Sequence, residues 1–504
     1  MYSISRSEGY LPCPGSFNMA AHVLQHATRL GDKTALSVVA PGGTEDWSFA
    51  GLEAAVRGTG TGLLELGLVP GDIVLMRLGN TVDFPLAYLG ALAVGLVPVP
   101  TAAALTLPEV ERIVKVLNPK VILRDPSIDC PTHPGICTVD KLREMRGLPA
   151  AQWNMGNPNR LGYIIYTSGT SGNPHAVMHA HRAIWARQMM FDGWYGLRED
   201  DRVMHAGAFN WTYTLGTGLM DPWTKGATAL IPAAGSTADG LPDLMKRYKP
   251  SIFAAAPGVY RQMLKRNTHV EAPNLRHGLS AGEKLPASVS KAWRDASGTE
   301  IYEAYGMSEC STFISASPDH PAREGALGRP QDGRRVALIG PGGPVAVGTE
   351  GTIAIHKSDP GLMLGYLGRA EQTEAKYQDD WFLTGDQGMM GDDGQITYLG
   401  RNDDMMNAGG FRVSPIEVEQ TLAKFPGIHA VGVCEVEVRS DVTIIAAFYT
   451  ADVPLDATAL ALYAEHNMAR YKQPRVFIHL PELPMGANGK LLRRTLRATY
   501  EAHI

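Results

Sequence analysis

Short apolar strands alternate with helices from residue 33 to residue 304, and no other feature constrains the fold of this chain more strongly. Strand-like runs at 73–77 and 97–100 enclose a helical stretch rich in Ala and Leu at 81–94. Parallel strands need such helical crossovers, which then cover the faces of the sheet. The sequence therefore predicts layered α/β sheets with parallel strands.

The rest of the chain has a different pattern. Near residue 325, short strands separated by Gly, Pro and Asp turns begin, and they predict a small β subdomain. After residue 413 the pattern changes again. A serine and a glutamate three residues apart, Ser414 and Glu417, predict a capping box before a helix to about residue 424. A chain of 504 residues exceeds one core, so we expect a separate α+β module after a boundary near 400–404.

Composition excludes several classes of partner. A net charge of -5 favours neither nucleic acid nor an anionic membrane surface. No run approaches the roughly 20 apolar residues of a membrane span, and the N-terminus lacks the apolar core of a signal peptide. The five cysteines are scattered and form no CxxC pair, which disfavours disulfides and structural zinc. We expect a reduced, soluble, cytoplasmic protein.

Hydroxyl residues and glycines fill the segment from Thr167 to Gly172, between apolar runs at 161–165 and 176–178. This pattern predicts a strand, a tight loop and a second strand. Glycines let successive N–H groups converge on one concavity, which suits a polyphosphate. The GxxxxGK[ST] phosphate loop is absent. On its own, the segment is equally compatible with an ordinary polar hairpin turn.

Two further groups of polar residues lie at turns. Tyr305 could stack on a base, Ser308 could reach a phosphate, and the Glu309 carboxylate could hold Mg²⁺. Asp386 could bind both hydroxyls of a ribose, as acidic residues do in other nucleotide sites, and Arg401 lies on a similar turn. The alternative for each group is a structural turn.

Lys490 lies on a glycine-containing loop near the C-terminus, where it could place a positive charge on a transition state. The alternative is a solvated surface lysine. His175, His179 and His181 share one face of a predicted strand, which raises the question of a metal site. Because no carboxylate or cysteine lies nearby in the sequence, a metal site at these histidines is disfavoured.

Together, and in this order, the motifs resemble those of the AMP-forming acyl-CoA synthetases of the adenylate-forming superfamily. The resemblance covers nearly the whole chain. It is carried by the segments 166–175, 280–286, 305–309, 381–386, 400–419 and 488–494. Trp211 and the phrase Leu-Met-Asp-Pro-Trp at 219–223 look most like the medium-chain and aryl acyl-CoA ligase branch.

The resemblance implies a large N-terminal adenylation domain over 1–400 with layered α/β sheets and a small β subdomain. It also implies a hinge over 401–404 and a small mobile α+β domain over 405–504. The implied activity uses ATP, Mg²⁺ and CoA. A small carboxylic acid of the medium-chain, aromatic or alicyclic kind becomes an acyl-AMP with release of pyrophosphate, and the CoA thiol then displaces AMP.

The resemblance also implies roles for individual residues. Three residues would be catalytic: Ser308 at the α-phosphate, Glu309 as the ligand of Mg²⁺, and Lys490 between the attacking carboxylate and the α-phosphate. The residues that would bind the nucleotide are Thr167, Ser168, Gly169, Thr170, Ser171, Gly172 and His175 at the phosphates, Gly282, Glu283, Lys284, Glu303, Ala304, Tyr305 and Gly306 at the adenine, and Asp386 and Arg401 at the ribose.

For the second half-reaction, the resemblance places Gly409, Gly410 and Phe411 along the pantetheine tunnel and Arg412 near phosphate. Asp403 would act as the hinge residue. Trp211 would lie in or beside the acyl pocket, where a Trp closes an apolar slot. The alternative for Trp211 is a plain core residue.

One position departs from the family pattern. His175 stands where the phosphate loop usually has a lysine, and an imidazole is shorter and mostly neutral at pH 7. Two alternatives stay open: an adenylation enzyme that loads a carrier-protein thiol, and a non-catalytic nucleotide or acyl-AMP sensor. Only the sensor is favoured by His175, and Lys490 and Glu309 disfavour it. An amino-acid-activating enzyme is disfavoured, because residues 205–213 contain no acidic partner for an amine. The oligomeric state is not fixed by the sequence, which allows a homodimer.

Overall fold

The structure is a computed structural model that describes residues 1–5, 7, 9–167, 175–209, 211–402, 404–408, 411–439, 442–486 and 491–501. It forms two compact units. The large unit comprises Ser5–Arg335 and His356–Asp380, and the small unit comprises Met1–Ile4, Val336–Ile355 and Trp381–Ile504. The functional boundaries expected at 1–400, 401–404 and 405–504 stay a prediction.

The strands are numbered in chain order. They are β1 Thr34–Ala40, β2 Gly43–Ser48, β3 Ile73–Arg77, β4 Val97–Pro100, β5 Val121–Arg124, β6 Ile136–Thr138, β7 Leu161–Thr167, β8 His175–Ala180, β9 Arg202–His205, β10 Thr228–Pro232, β11 Ile252–Ala254, β12 His277–Ala281, β13 Ile301–Met307, β14 Ser311–Ser315, β15 Ala326–Pro330, β16 Val336–Gly340, β17 Gly343–Pro344, β18 Glu350–His356, β19 Gly365–Tyr366, β20 Tyr377–Gln378, β21 Trp381–Met390, β22 Ile396–Arg401, β23 Met406–Ala408, β24 Phe411–Val413, β25 Ala430–Arg439, β26 Val442–Thr450 and β27 Val476–His479.

The α-helices are α1 Met19–Val23, α2 Phe49–Glu65, α3 Asp83–Ala93, α4 Leu107–Leu117, α5 Val139–Met145, α6 Ala183–Arg187, α7 Asp221–Lys225, α8 Leu241–Tyr248, α9 Pro257–Arg266, α10 Ala287–Ser297, α11 Ala370–Glu374, α12 Pro415–Leu422, α13 Ala457–Asn467 and α14 Arg493–Glu501. Phe191–Tyr195 and Thr214–Met220 are π-helical, and Ala238–Gly240 and Arg470–Lys472 form 3₁₀ turns.

Parallel strands form the centre of the large unit. Its main sheet has the order β15-β14-β13-β12-β11-β9-β10-β1-β2, and every neighbouring pair from β13 to β1 is parallel. A second sheet, β4-β3-β5-β6, is parallel throughout. Strand β10 is buried along its whole length, as expected for a sheet covered by helices on both faces. The predicted α/β layers are confirmed.

The small unit contains the β-rich segment and the C-terminal α+β module. Its strands β17, β16, β18, β21 and β22 are neighbours in this order, and the β21–β22 pair is antiparallel. A further sheet, β25-β26-β27, packs against α12 and α14, and its core includes Val433 and Phe448. The small β part and the α+β module were both expected, and this part of the fold class is confirmed.

Gly58, Gly60 and Gly62 in the middle of α2 weaken its helix signal in the sequence, and the structure explains them by close packing. A Cβ at Gly58 would lie 2.7 Å from the carbonyl oxygen of Arg146, and one at Gly60 would lie 2.8 Å from Cγ1 of Val94. Any larger residue would push the neighbouring segment away. The cost of glycine in a helix, about 1 kcal/mol, is offset by this close approach.

Two local predictions were wrong. Apolar residues at helical spacing over 17–30 predict one helix, but α1 ends after Val23, and the side chains of Gln25 and His26 then bond the Thr224 carbonyl. The capping box at Ser414 is only half formed. The Ser414 hydroxyl accepts the N–H of Glu417 at 3.3 Å, but the Glu417 carboxylate pairs with Lys472 instead of reaching back.

Buried histidines make the large unit sensitive to acid. Burial lowers the pKa of His181 and His205 to about 3, and of His179 and His277 to about 4. Histidine in an unfolded chain has a pKa near 6.5. Between these values the unfolded state binds more protons, so stability is complete above pH 6.5 and is lost as the pH falls towards 4.

We expect His277→Gln to reduce this acid sensitivity. Glutamine can still donate to the Tyr195 carbonyl, which His277 Nε2 contacts at 2.8 Å, but it does not titrate. Between pH 7 and pH 5 the wild type should lose about 2 kcal/mol more unfolding free energy than the variant. Denaturant titrations at both pH values measure this difference, and parallel losses in the two proteins would contradict the assignment.

Candidate active site

The carboxyl ends of the central parallel strands gather the predicted adenine and acyl residues. Strand β9 ends at His205 and β12 at Ala281, and Trp211 and Gly282 follow these ends closely. A Cβ at Gly282 would lie 3.7 Å from Cζ2 of Trp211. Open α/β sheets bind ligands at this edge. The structure therefore brings the two predicted subsites side by side.

The loop after β12 is fixed by a buried carboxylate. Lys284 Nζ donates to Glu303 Oε2 at 2.7 Å, and the N–H of Leu285 donates to Oε1 at 2.8 Å. Burial raises the pKa of Glu303, while the charge of Lys284 acts in the opposite direction. Both oxygens of Glu303 are thus used to hold the 282–285 loop, which carries three of the predicted adenine residues.

The other predicted adenine residues surround this loop. The half-buried ring of Tyr305 packs edge-on against Phe313, with 5.4 Å between ring centroids. Glu283 Oε1 accepts the N–H of Gly258, at the start of α9, at 3.2 Å. Ala304 is buried in the core, and Gly306 lies so close to the neighbouring strand that its Cβ would be 2.5 Å from Cα of Thr312.

Ser308 and Glu309 are held by segments distant in sequence. Tyr366 Oη donates to Glu309 Oε1 at 2.7 Å, and the N–H of Met363 donates to the Glu309 carbonyl at 2.8 Å. His179 Nε2 donates to the backbone carbonyl of Ser308 at 2.8 Å. This bond does not use the side-chain hydroxyl of Ser308, which is exposed and available for a ligand. Sequence reasoning missed Tyr366 and His179 as supports of these two residues.

Glu309 suits a magnesium ion that arrives with a nucleotide. Its half-buried carboxylate has one oxygen bonded to Tyr366, which leaves the other oxygen for a hard cation. Across the described parts of the chain, no three His, Cys, Asp or Glu side chains come together to hold a metal. Magnesium bound through one or two carboxylates and substrate phosphates needs no such protein cage.

The strands on either side of the predicted phosphate loop are present. β7 and β8 are antiparallel, and Thr167 pairs with His175. Ser168, Gly169, Thr170, Ser171 and Gly172 lie outside the described residues. The ring of His175 lies 4.8 Å from that of Tyr366, centroid to centroid. Tyr366 therefore contacts both the residue that departs from the family pattern and the predicted magnesium ligand.

The predicted ribose residues face each other in the small unit. Asp386 on β21 pairs directly with Arg401 on β22, and Arg401 Nη1 lies 3.9 Å from Asp386 Oδ1. Tyr398 Oη donates to the same Asp386 oxygen at 3.5 Å. The structure thus brings together the two residues that were expected to share one ligand group.

The remaining predicted residues are only partly covered by the structure. Asp403, Gly409, Gly410 and Lys490 lie outside the described residues, as do the side chains of Phe411 and Arg412. The chain on either side of Lys490 is anchored: Met485 and Leu491 form an antiparallel bridge, and Arg493 Nη2 donates to Glu419 Oε1 at 2.6 Å.

A largely parallel sheet with polar loops at its carboxyl edge is the arrangement in which open α/β proteins bind ligands. Comparison with known proteins identifies the family. AMP-binding enzymes match the chain over residues 23–367, which is well over half of its length. The chain belongs to the family of AMP-binding enzymes, as the motifs indicated. No described helix has the length and apolar character needed to cross a membrane.

Curated relatives support a ligase. A 4-hydroxybenzoate–CoA/benzoate–CoA ligase of Rhodopseudomonas palustris is 29% identical over 478 residues, covering 89% of this chain and 88% of that protein. The mitochondrial acyl-coenzyme A synthetase ACSM5 of Mus musculus is 28% identical, covering 97% and 92%. These names agree with an AMP-forming carboxylate–CoA ligase, and this expectation is confirmed at the level of the enzyme class.

Solved structures share the fold. The anthranilate CoA ligase AuaEII in complex with anthranoyl-AMP superposes with a TM-score of 0.88 at 26% identity, covering 98% of this chain and 99% of that one. ATP-bound MatB from Rhodopseudomonas palustris gives 0.87 at 25% identity, covering 96% and 99%. The fold expected from the resemblance is confirmed.

Proposed function

We propose that this protein is an ATP- and Mg²⁺-dependent, AMP-forming CoA ligase for an aromatic or medium-chain carboxylic acid. The observation that carries this proposal is the closeness of Trp211 to Gly282 at the carboxyl edge of the main sheet, where a Cβ on Gly282 would lie 3.7 Å from Cζ2 of Trp211. An acyl group beside Trp211 and an adenine beside Gly282 could be joined as one acyl adenylate. The benzoate ligases among the relatives support an aromatic acid.

In the first half-reaction, a carboxylate oxygen of the acid attacks the α-phosphorus of ATP, and the bond to the β-phosphate breaks to release pyrophosphate. The Ser308 hydroxyl would bind the α-phosphate, and Glu309 would hold Mg²⁺, which neutralises phosphate charge when bound. The loop from Thr167 to Gly172 would bind the outer phosphates. Lys490 would stabilise the charge that crowds at the reacting oxygens.

In the second half-reaction, the CoA sulfur attacks the acyl carbonyl carbon and AMP leaves. Gly409, Gly410, Phe411 and Arg412 would lie along the path of CoA, after a movement at Asp403. Such domain movements commonly complete a site for one step at a time. We place the enzyme in the cytoplasm, and a homodimer stays a prediction.

A panel of acids tests this function. The protein is incubated with ATP, Mg²⁺ and hydroxylamine, which traps acyl-AMP as a hydroxamate, and then with CoA in place of hydroxylamine. Benzoates, alicyclic acids and medium-chain fatty acids are compared. We expect AMP and pyrophosphate in equal amounts with at least one class, and thioester with CoA. No AMP release with any acid would contradict the proposal.

We expect His175→Lys to lower the KM for ATP about fivefold, because a longer cationic side chain adds roughly 1 kcal/mol of phosphate attraction. Initial rates at saturating acid and CoA measure the effect. His175→Gln adds no charge and is the matched control, with a KM close to that of the wild type. An unchanged or higher KM in the lysine variant would show that position 175 does not face the phosphates.

A further inference from the structure

Two buried polar atoms beside Trp211 have no hydrogen-bond partner among the residues that the structure describes. His205 is completely buried, and its Nε2 is unpaired. The hydroxyl of Tyr213 is also buried and unpaired. A buried polar atom left without a partner costs about 1–3 kcal/mol, so native proteins rarely keep two together without a ligand or a water.

The aromatic rings of this group form one cluster at the edge of the candidate site. The ring centroids of His205 and Tyr213 are 4.4 Å apart, and those of Trp211 and Tyr213 are 5.1 Å apart, with the planes nearly perpendicular in both pairs. Trp211 and Tyr213 are only partly buried. Because a Cβ at Gly282 would lie 3.7 Å from Cζ2 of Trp211, the cluster adjoins the proposed adenylate site.

The backbone beside the cluster is unusual. A π-helix, Thr214–Met220, begins directly after Tyr213, and such segments are rare and are found frequently at functional sites. Gly218 lets this helix approach the end of β9, since a Cβ there would lie 2.7 Å from Cβ of His205. Thr214 Oγ1 lies 3.3 Å from His205 Nδ1, which orients the ring and leaves Nε2 free for another partner.

Both unpaired groups are uncharged. Burial lowers the pKa of His205 to about 3 and raises that of Tyr213 far above its usual value. The nearby ion pair is already satisfied, with Arg187 Nε 2.8 Å from Asp221 Oδ1 and Nη2 2.6 Å from Oδ2. A neutral partner is therefore favoured, because a charged substituent would be desolvated without a counter-ion.

We propose that His205 and Tyr213 recognise an uncharged hydrogen-bonding substituent, such as a hydroxyl group, on the ring of an aromatic acid substrate. This inference rests on the proposed ligase function and narrows its substrate class. Trp211 supplies the apolar surface for the ring, and the two polar atoms pair with the substituent. An acid without such a group leaves both atoms unpaired, which is how a site built for a hydroxyl rejects its analogue.

The test compares hydroxybenzoate isomers with benzoate in the full-length enzyme. We expect the wild type to favour at least one hydroxylated isomer by tenfold or more in kcat/KM, within the range that hydrogen-bonding pockets reach. Tyr213→Phe removes only the unpaired oxygen and should lower this preference about tenfold. His205→Leu should lower it as well, and His205→Gln, which keeps a hydrogen-bonding group, should restore part of it.

Tyr260→Phe is the matched control. Its hydroxyl is buried but donates to the carbonyls of Phe253 and Leu279 at 3.0 and 3.1 Å, so its removal should lower stability and leave the preference unchanged. Equal kcat/KM for hydroxylated and plain acids, or a preference that survives Tyr213→Phe, would overturn this inference and leave the ligase function standing. Failure to activate any acid would overturn the ligase function and this inference with it.

Discussion

Glu309→Gln is expected to lower acid-dependent pyrophosphate release about 10²–10³-fold, the usual loss when one charge-stabilising group is removed from an active site. The amide keeps the shape of the side chain and can still accept the bond from Tyr366, but it lacks the charge that a magnesium ion requires. The variant should need much more Mg²⁺ for half-maximal rate. Calorimetric titration with Mg-ATP should show a matching loss of affinity.

The variant Tyr366→Phe distinguishes the effect of how the Glu309 carboxylate is oriented from the effect of its charge. This variant keeps the carboxylate and removes the 2.7 Å hydrogen bond that orients it, so we expect a smaller loss, about tenfold. If Glu309→Gln retained the wild-type dependence on Mg²⁺, Glu309 would not be the magnesium ligand. If Tyr366→Phe were as inactive as Glu309→Gln, the tyrosine would have a direct role in the chemistry.

Lys490→Ala is expected to separate the two half-reactions. Acyl-AMP formation should fall about 10²–10³-fold, because the lysine would neutralise charge only where the carboxylate meets the α-phosphate. Thioester formation from supplied acyl-AMP and CoA should retain most of its rate. Single-turnover measurements of each half-reaction distinguish the two effects.

Lys424→Ala is the control for the lysine variant, since Lys424 is exposed in the same C-terminal module and follows α12. It should leave both half-reactions unchanged. An equal loss of both half-reactions in Lys490→Ala would indicate a general structural defect, whereas unaffected adenylation would exclude Lys490 from the first step.

Local pattern was enough to predict the elements of the fold. Alternating strands and helices led to the parallel sheets, and the paired strands around the phosphate segment followed from the apolar runs on either side of it. The family resemblance selected Trp211, Gly282 and Tyr305 as site residues. In the structure, Trp211 and Gly282 follow the ends of β9 and β12, whereas Tyr305 lies within β13 and not at a turn. The predicted strands and helices depend on short-range periodicity, which the sequence shows directly.

Supports of the site that come from distant segments were not predictable. Tyr366 reaches Glu309 across 57 positions, and His179 reaches Ser308 across 129. Neither contact has a local signal, because tertiary packing alone selects the partners. The shortened helix at Val23 has the same origin, since Gln25 and His26 bond a carbonyl of α7, far along the chain.

The unpaired atoms of His205 and Tyr213 were equally invisible in the sequence. A histidine at a strand end is usually a satisfied core residue, and only the structure shows which of its nitrogens lacks a partner. The sequence did show that residues 205–213 contain no acidic side chain. That observation and the neutral character of the cluster both favour a substrate whose ring carries an uncharged substituent over a substrate that carries an amine cation.

The most direct test of the proposed ligase function is the exchange of labelled pyrophosphate into ATP in the presence of a carboxylic acid substrate. This exchange requires reversible formation of an acyl adenylate and does not require CoA. We expect exchange that depends on Mg²⁺ and on an aromatic or medium-chain acid and that is strongly reduced in Glu309→Gln. When CoA is added, AMP should accompany it. Release of ADP and phosphate instead, or no exchange with any acid, would contradict it.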